Sequence, residues 1–363
     1  MKKHILYILP ELPYENIDHA GGKFLYEYLI QISKTCHVTI LAPSIPENNR
    51  VLDEAGSKFE VILTDTLMNS FKDKFAKISN LFFEPIHYSH ENLLMDKILE
   101  FDLLNKVDIV EIHYSQLMRL IPRIKRIKKD IPIFFFSHDV YFQSIMRYMR
   151  TKEISILCRV KNRIKFINVR KKERIYLNDA DKIFTFSQKD CQLLRSIGVK
   201  TNMMDVILLP QFHSDITHID DGFTNILFVG AFRRKENTQG ALWFLREVWP
   251  HLDKKFENIK LYLVGSSPSP QMLDFQSKKV IVTGFVKDLD HYHKISDIVI
   301  VPLFLGAGVK YKVLHSFYFK LPVVSTTVGA EGIKKEAFAA ITNNSLEFTQ
   351  EVEMLIKDKQ KRE

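Results

Sequence analysis

The sequence predicts an α/β protein made of two parallel, doubly wound sheets, and three observations predict it. Short apolar runs alternate with longer segments of helical period along the whole chain. Several of these runs are continuous in Val, Ile and Phe instead of alternating with polar residues, as strands covered by helices on both faces are. The length, 363 residues with 46% apolar, supplies a core to each of two domains of ordinary size.

Taken in order, the N-terminal strand candidates are His4 to Leu9, Val38 to Leu41, Ile109 to Ile112, Ile131 to Phe136 and Lys182 to Phe186. The C-terminal ones are Ile226 to Val229, Ile259 to Val264, Val280 to Val282, Ile298 to Val301 and Pro322 to Ser325. Between the two sets lies LLPQFHSDITHIDDG, Leu208 to Gly222, which is polar, contains Pro210 and is followed by a fresh strand. Such a stretch reads as a linker, giving an N-terminal domain 1–207, a linker 208–222 and a C-terminal domain 223–363. No internal repeat or low-complexity tract interrupts this order. The chain stops soon after the helix-like EFTQEVEMLIKDKQKRE, so the C-terminal domain is expected to be compact or cut short.

The net charge of +9 is uneven. Between Ser144 and Arg174 stand eleven basic and two acidic residues, and the rest of the chain is charge-balanced. A general affinity for nucleic acid therefore does not follow from the total. Cys36, Cys158 and Cys191 lie far apart, without C-x-x-C or zinc-like spacing, and read as free thiols in a reducing cytosol. The start MKKHILYILPELP holds an apolar stretch of only Ile5 to Leu9, too short for a signal peptide. No 18 apolar residues run together, so contact with a membrane would be at its surface.

Three glycine- or cation-bearing turns carry the candidate chemistry. His19-Ala20-Gly21-Gly22-Lys23 follows the first strand and opens a segment whose Leu25, Leu29 and Ile32 repeat at helical spacing. Paired glycines let a ligand approach the backbone, and a helix start offers N–H groups to an anion. A plain strand-to-helix turn would look the same, and no G-x-G-x-x-G is present. Phe228 to Asn237, FVGAFRRKEN, places Arg233, Arg234 and Lys235 at the carboxyl end of a strand, where open α/β sheets bind ligands. An Arg fork with a Lys suits a diphosphate; solvated surface charge is the plainer fate for any one of the three. In the third, Gly306 and Gly308 follow an apolar strand, and Lys310 and Lys312 stand at the next helix start. Together the turns suggest a nucleotide-diphosphate ligand in an interdomain cleft.

From Asn225 to Gly332 the chain resembles the C-terminal domain of retaining glycosyltransferases of family 4, which have the GT-B fold of two Rossmann-like domains. The matching segments, in order, are ILFVGAFRRKENTQGALWFLREVWPHL, KLYLVGSSP, VIVTGFVKDLDHYHKISDIVIVPL and GAGVKYKVLHSFYFKLPVVSTTVGAEGI, with weaker N-terminal echoes in AGGKFLYEYL and NDADKIFTFSQKD. The resemblance implies that Gly21 and Gly22 approach the donor diphosphate and that Arg233 or Arg234, with Lys310, neutralises it. It implies that Gly284-Phe285-Val286 holds the base, that Gly308 and Val309 line the donor, and that His138, in Phe136-Ser137-His138-Asp139, lies beside the transferred sugar. A histidine satisfied at a strand end is the plainer account of His138.

One departure stands out. The family places a Glu, seven residues and a second Glu that binds ribose; here the positions hold Ala307 and His315. A neutral imidazole offers one acceptor where a carboxylate offers several. This motivates the alternative of a non-catalytic partner subunit; a sugar-nucleotide epimerase of the same fold is a second alternative. The implied chemistry needs no metal or other cofactor, because cations and helix ends carry the leaving-group charge. Asp179-Ala180-Asp181 and Asp288-Leu289-Asp290 have a metal-binding spacing but are expected to be a helix-to-strand joint and a loop.

The basic segment reads as a helix with Leu157, Val160, Ile164 and Ile167 on one stripe. Arg159, Arg163 and Arg170 flank it on one side, and Lys161, Lys165 and Lys172 on the other. That layout suits an interfacial helix on anionic lipid, with Arg159, Arg163 and Lys165 as the acceptor-side surface. An amphipathic helix packed on the core with a basic outer face is the alternative. Its aromatics are few, Tyr148 and Phe166, which speaks against nucleic acid. The whole reads as a cytoplasmic, peripherally membrane-associated transferase that takes a nucleotide-sugar donor and a glycan or lipid-linked acceptor.

Overall fold

Every strand pairing among the described residues is parallel. The computed structural model describes residues 2–15, 17, 20–66, 86, 88–149, 155–205 and 215–362. The chain divides into two units, Met1–Leu208 and Leu209–Glu363. Residues 208–214 of the expected linker lie outside the described residues. Asp215, Asp220 and Asp221 fold 215–223 by accepting from Thr217, Gly222 and Phe223 amides, the short-range turn chemistry of aspartate.

The first unit holds β1 (His4–Ile8), β2 (His37–Ser44), β3 (Glu60–Thr66), β4 (Ile109–His113), β5 (Ile133–Ser137), β6 (Lys182–Thr185) and β7 (Met203–Asp205), in the order β3-β2-β1-β4-β5-β6-β7. Because successive side chains of a strand leave on opposite faces, β1 feeds two cores at once. Leu6 and Ile8 pack on one side of the sheet, and Ile5, Tyr7 and Leu9 on the other. Leu25 and Leu29 of the helix Ala20–Ser33 cover the second face, as their spacing predicts.

The second unit holds β8 (Thr224–Val229), β9 (Ile259–Val264), β10 (Val280–Gly284), β11 (Ile298–Val301), β12 (Val323–Ser325) and β13 (Ala340–Ile341), in the order β10-β9-β8-β11-β12-β13. The segments of β3, β7 and β13 are not among the strands expected from the sequence, and all three are edge strands. An edge strand has one neighbour and is covered less, so it lacks the continuous apolar run by which the central strands are recognised; in β3 only Thr64 is buried.

The basic helix spans Ile156–Leu177, and it packs on the core through residues off the expected stripe. Val169, Tyr176 and Leu177 are buried in the core with Phe166 packed against them, whereas Val160, Ile164 and Ile167 are 55%, 40% and 60% exposed. The side chain of Leu157 lies outside the described residues. Arg159, Lys161 and Arg163 are exposed. The expected flanking of the stripe is corrected for the other cations: Lys165 lies over the Tyr141 ring at 5.6 Å, Arg170 over Phe166 at 5.5 Å and Lys172 over Tyr176 at 5.7 Å. Their long stems cover aromatic surface on the packed side.

Glu173 joins this helix to the preceding one. Its fully buried carboxyl accepts from the Tyr141 and Phe142 amides at 3.1 and 3.2 Å, two of the otherwise unsatisfied donors that open the helix Tyr141–Met149. Burial pushes its pKa from 4.5 up to about 8. The folded chain thus keeps this proton longer than the unfolded one, so the stability it contributes is full below about 4.5 and falls as pH rises towards about 8. Glu173→Ala is expected to lower stability in urea unfolding by on the order of 2 kcal/mol, since both amides lose their partner. Glu173→Gln retains an acceptor, loses less, and flattens the stability profile over that pH interval.

Candidate functional site

In each sheet the strand order reverses once, between β1 and β4 in the first unit and between β8 and β11 in the second. At such a reversal the connections leave in opposite directions, opening a crevice beyond the carboxyl ends of the strands where ligands bind. The glycine and cation turns that follow β1, β8 and β11 are found at these two places.

In the first unit Gly21 and Gly22 belong to the first turn of the helix Ala20–Ser33 instead of preceding it; His19 lies outside the described residues. A Cβ on Gly21 would stand 2.8 Å from Tyr114 Oη and 3.3 Å from His138 Nδ1. Glycine is therefore required for close approach, and the turn and His138 are neighbours. Tyr114 stacks on His138 with centroids 4.0 Å apart and planes 7° off parallel, and Phe186 meets it edge-on at 5.0 Å. Tyr114 has φ +71°, a costly backbone for a non-glycine residue and one that clusters at functional sites. Ser115 Oγ donates to the Asp139 carbonyl at 2.9 Å, tying the turn after β4 to the turn that carries His138.

Behind His138 stands a chain of buried polar groups that sequence analysis missed. His138 Nε2 lies 3.0 Å from His113 Nδ1, His113 Nε2 lies 2.7 Å from Glu111 Oε1, and Tyr28 Oη donates to Glu111 Oε2 at 3.1 Å. Burial pushes Glu111 up to about 8 and holds His113 down at about 3. The pair is thus a neutral acid beside a neutral imidazole at pH 7. The signal available in the sequence was IVEIHY, where Glu111 and His113 alternate with Val110 and Ile112 and so share the opposite face of a buried strand.

In the second unit the turn after β8 carries Arg233 and Arg234, both exposed, ahead of the helix Lys235–Glu247. Arg234 Nε pairs with Glu236 at 3.2 Å. The turn after β11 carries Gly306 and Gly308, with φ of +101° and +73°, half-buried Val309, and Lys310 immediately ahead of the helix Tyr311–Tyr318. Lys310 Nζ donates to the Ala307 and Gly308 carbonyls and lies 3.9 Å from the buried Glu331 carboxylate. Lys312 Nζ donates to Asn237 Oδ1 at 2.9 Å and lies 4.6 Å from the Phe228 ring centroid. Desolvation there, followed by the positive charges of Lys310 and Arg234, pulls the Lys312 pKa down to about 7. Arg234, Lys310 and Lys312 accordingly form one electrostatic cluster; Arg233 directly precedes Arg234 in the same turn.

Phe285, after β10, is 61% exposed, while Val286 packs against the core. His315 is buried, with Nε2 2.9 Å from Asp290 Oδ1 and its ring 4.1 Å from that of His293. His293 Nδ1 donates to the Leu289 carbonyl at 3.1 Å. Asp288 accepts from the His291 amide at 3.1 Å and caps the helix Leu289–Lys294. The second Asp-x-Asp therefore opens a helix, where a loop is expected, because its first Asp is a preferred N-cap. In the first, Asp181 accepts from the Ile133 amide and from Lys125 Nζ, both at 2.7 Å. Two sets of side chains among the described residues have metal-ligand chemistry, His4 with His37 and Glu60, and Asp290 with His293 and His315.

Residues 224–358 match the family model described as glycosyl transferases group 1. A 44.6 kDa uncharacterized protein in the cps region of Klebsiella pneumoniae is 32% identical over 117 residues, a match that spans 30% of this chain and 30% of that relative. Among solved structures, sucrose-phosphate synthase from Thermosynechococcus elongatus superposes with a TM-score of 0.69 at 11% identity, covering 99% of this chain and 91% of that one. HepE of Anabaena, in complex with UDP and glucose, does so with a TM-score of 0.60 at 13% identity, covering 99% and 91%. With its two parallel sheets and these superpositions, the chain has the GT-B fold, and its C-terminal unit matches the glycosyl transferases group 1 family.

Proposed function

We propose that this chain transfers a sugar from a nucleoside-diphosphate donor to a hydroxyl of a glycan or lipid-linked acceptor, with retention, in surface polysaccharide or glycoconjugate synthesis. The observation that carries the reading is the cluster of Arg234, Lys310 and Lys312, in which desolvation first and the repulsion of the other two cations second lower the Lys312 pKa to about 7. A diphosphate set among these groups would relieve that repulsion, and its growing charge as the bond to the sugar breaks would be met by fixed cations and the amides of a helix start. This stabilisation is electrostatic and needs no metal. Arg233 would add a fork to the same charge. The exposed Phe285 ring, with Val286, would support the base. His315 gives its Nε2–H to Asp290, since a carboxylate only accepts, and its ring would stand beside the ribose. His138, beside Gly21 and Gly22, would face the sugar. The acceptor hydroxyl would attack the oxocarbenium-like sugar on the face the nucleotide leaves. The place of the Klebsiella relative in a cps region supports polysaccharide synthesis.

No helix among the described residues is long and apolar enough to cross a membrane. The exposed Val160, Ile164 and Ile167, with Arg159, Lys161 and Arg163 beside them, support contact with an anionic membrane surface, where apolar side chains enter the headgroup boundary and cations meet phosphate.

A nucleoside diphosphate is expected to raise the melting temperature without added metal, and to move the Lys312 Nζ midpoint, followed by 13C-lysine NMR, upward from about 7. Binding then takes up a proton and weakens as pH rises above that midpoint. Lys310→Ala should reduce both effects and cut transfer by on the order of 100-fold. Absence of any shift with the common nucleotides would sink the donor site and favour a non-catalytic subunit. For the membrane, Arg159→Glu with Arg163→Glu should release the protein from anionic vesicles in a flotation assay, each cation contributing about 1 kcal/mol. Undiminished flotation would refute this surface.

A further inference from the structure

With both imidazoles neutral, the chain of groups behind His138 has two consistent arrangements of protons. The Glu111 carboxyl, two hydrogen bonds from His138, meets His113 at 2.7 Å, and His113 meets His138 at 3.0 Å. Each contact takes one proton, so a choice at one end propagates to the other. With Glu111 protonated, Oε1–H donates to His113 Nε2, His113 Nδ1–H donates to His138 Nε2, and the neutral His138 ring carries its own proton on Nδ1. With Glu111 ionised, His113 Nε2–H donates to the carboxylate, His138 Nε2–H donates to His113 Nδ1, and His138 Nδ1 is a lone pair. Moving from the first arrangement to the second shifts one proton across each bond and releases one to water from His138 Nδ1. That atom faces Gly21, 3.3 Å from where a Cβ there would stand.

We propose that Glu111, acting through His113, is a positioning residue that sets the tautomer of His138, so that His138 presents a donor to a ligand oxygen at the glycine turn when Glu111 is protonated and an acceptor when it is ionised. The geometry holds the relay in one register. Glu111 and His113 are 2% and 0% exposed, and His113 stacks flat on Phe136 with centroids 4.5 Å apart. Tyr28, from the helix Ala20–Ser33, fixes the second carboxyl oxygen by donating to it. Among the described residues, the titratable groups facing Glu111 are His113 on its own strand, Tyr7 on β1 and Tyr28 on the covering helix. None of them is a cation at neutral pH, so burial dominates and Glu111 ionises only near pH 8. At pH 7 the relay therefore offers Nδ1–H, suited to a sugar hydroxyl or phosphate oxygen, and loses that donor above pH 8.

This inference rests on the reading of His138 as a ligand-facing residue, and the experiment separates the two. The 15N shifts of the His138 ring in the full chain, without ligand, report the tautomer between pH 6 and 9.5 irrespective of activity. The wild type is expected to pass from Nδ1–H to Nε2–H with a midpoint near 8. Glu111→Gln can still donate to His113 and accept from Tyr28 but cannot ionise, so it should keep Nδ1–H throughout. Tyr28→Phe removes the hydrogen bond that lowers the Glu111 pKa and should move the midpoint upward. In transfer assays, kcat/KM of the wild type should fall more steeply above pH 8 than that of Glu111→Gln, which should keep only the decline set by Lys312. A His138 tautomer that does not change in the wild type, or that changes alike in Glu111→Gln, overturns the proposal. A tautomer switch without any transfer leaves the relay standing and overturns the transferase reading instead.

Discussion

The parallel pairing of β1 with β4, and of β8 with β11, is the constraint on which the rest depends. Parallel strands must be joined by crossovers of one hand. When the order reverses, the two connections at that point diverge and leave backbone ends uncovered. Each candidate residue of consequence lies at those ends: Gly21, Tyr114 and His138 in one unit, Arg234 and Lys310 in the other. The same pairing explains why β1 is apolar on both faces, since Leu6 and Ile8 enter one core while Ile5 and Tyr7 enter another.

Both candidate regions retain polar groups in places where burial is expensive. The first resolves this by pairing: Glu111, His113 and His138 satisfy one another in line, and neutrality spares the cost of a buried charge. The second leaves like charges together. Lys312 is held by Asn237 and by the Phe228 ring, with burial first and then Lys310 and Arg234 depressing its pKa. Buried groups with perturbed pKa values and a specific electrostatic cause mark functional positions more often than structural ones.

Much of the fold was legible in the residues. The nine interior strands, and β10 at one edge, announce themselves as apolar runs, and the three strands that escaped notice lie at the other edges. The turns after β1, β8 and β11 were legible as glycine and cation clusters at helix starts. The basic helix was legible as a helix but its packing was not. Val160, Ile164 and Ile167 form the more regular stripe, yet Phe166, Val169 and Tyr176 are the residues that meet the core, because Glu173 anchors that side to the start of Tyr141–Met149.

By itself the sequence determined the two-sheet architecture, the glycine and cation turns, and the replacement of a second Glu by His315, since these follow from local periodicity and residue type. Only the tertiary structure decided what those side chains face. The Glu111, His113 and His138 relay unites strand β4 with the turn after β5, and the Asp290 and His315 pair, 25 residues apart, unites two helices. Such pairings depend on strand register and on which helix face is buried, long-range outcomes that local pattern does not encode.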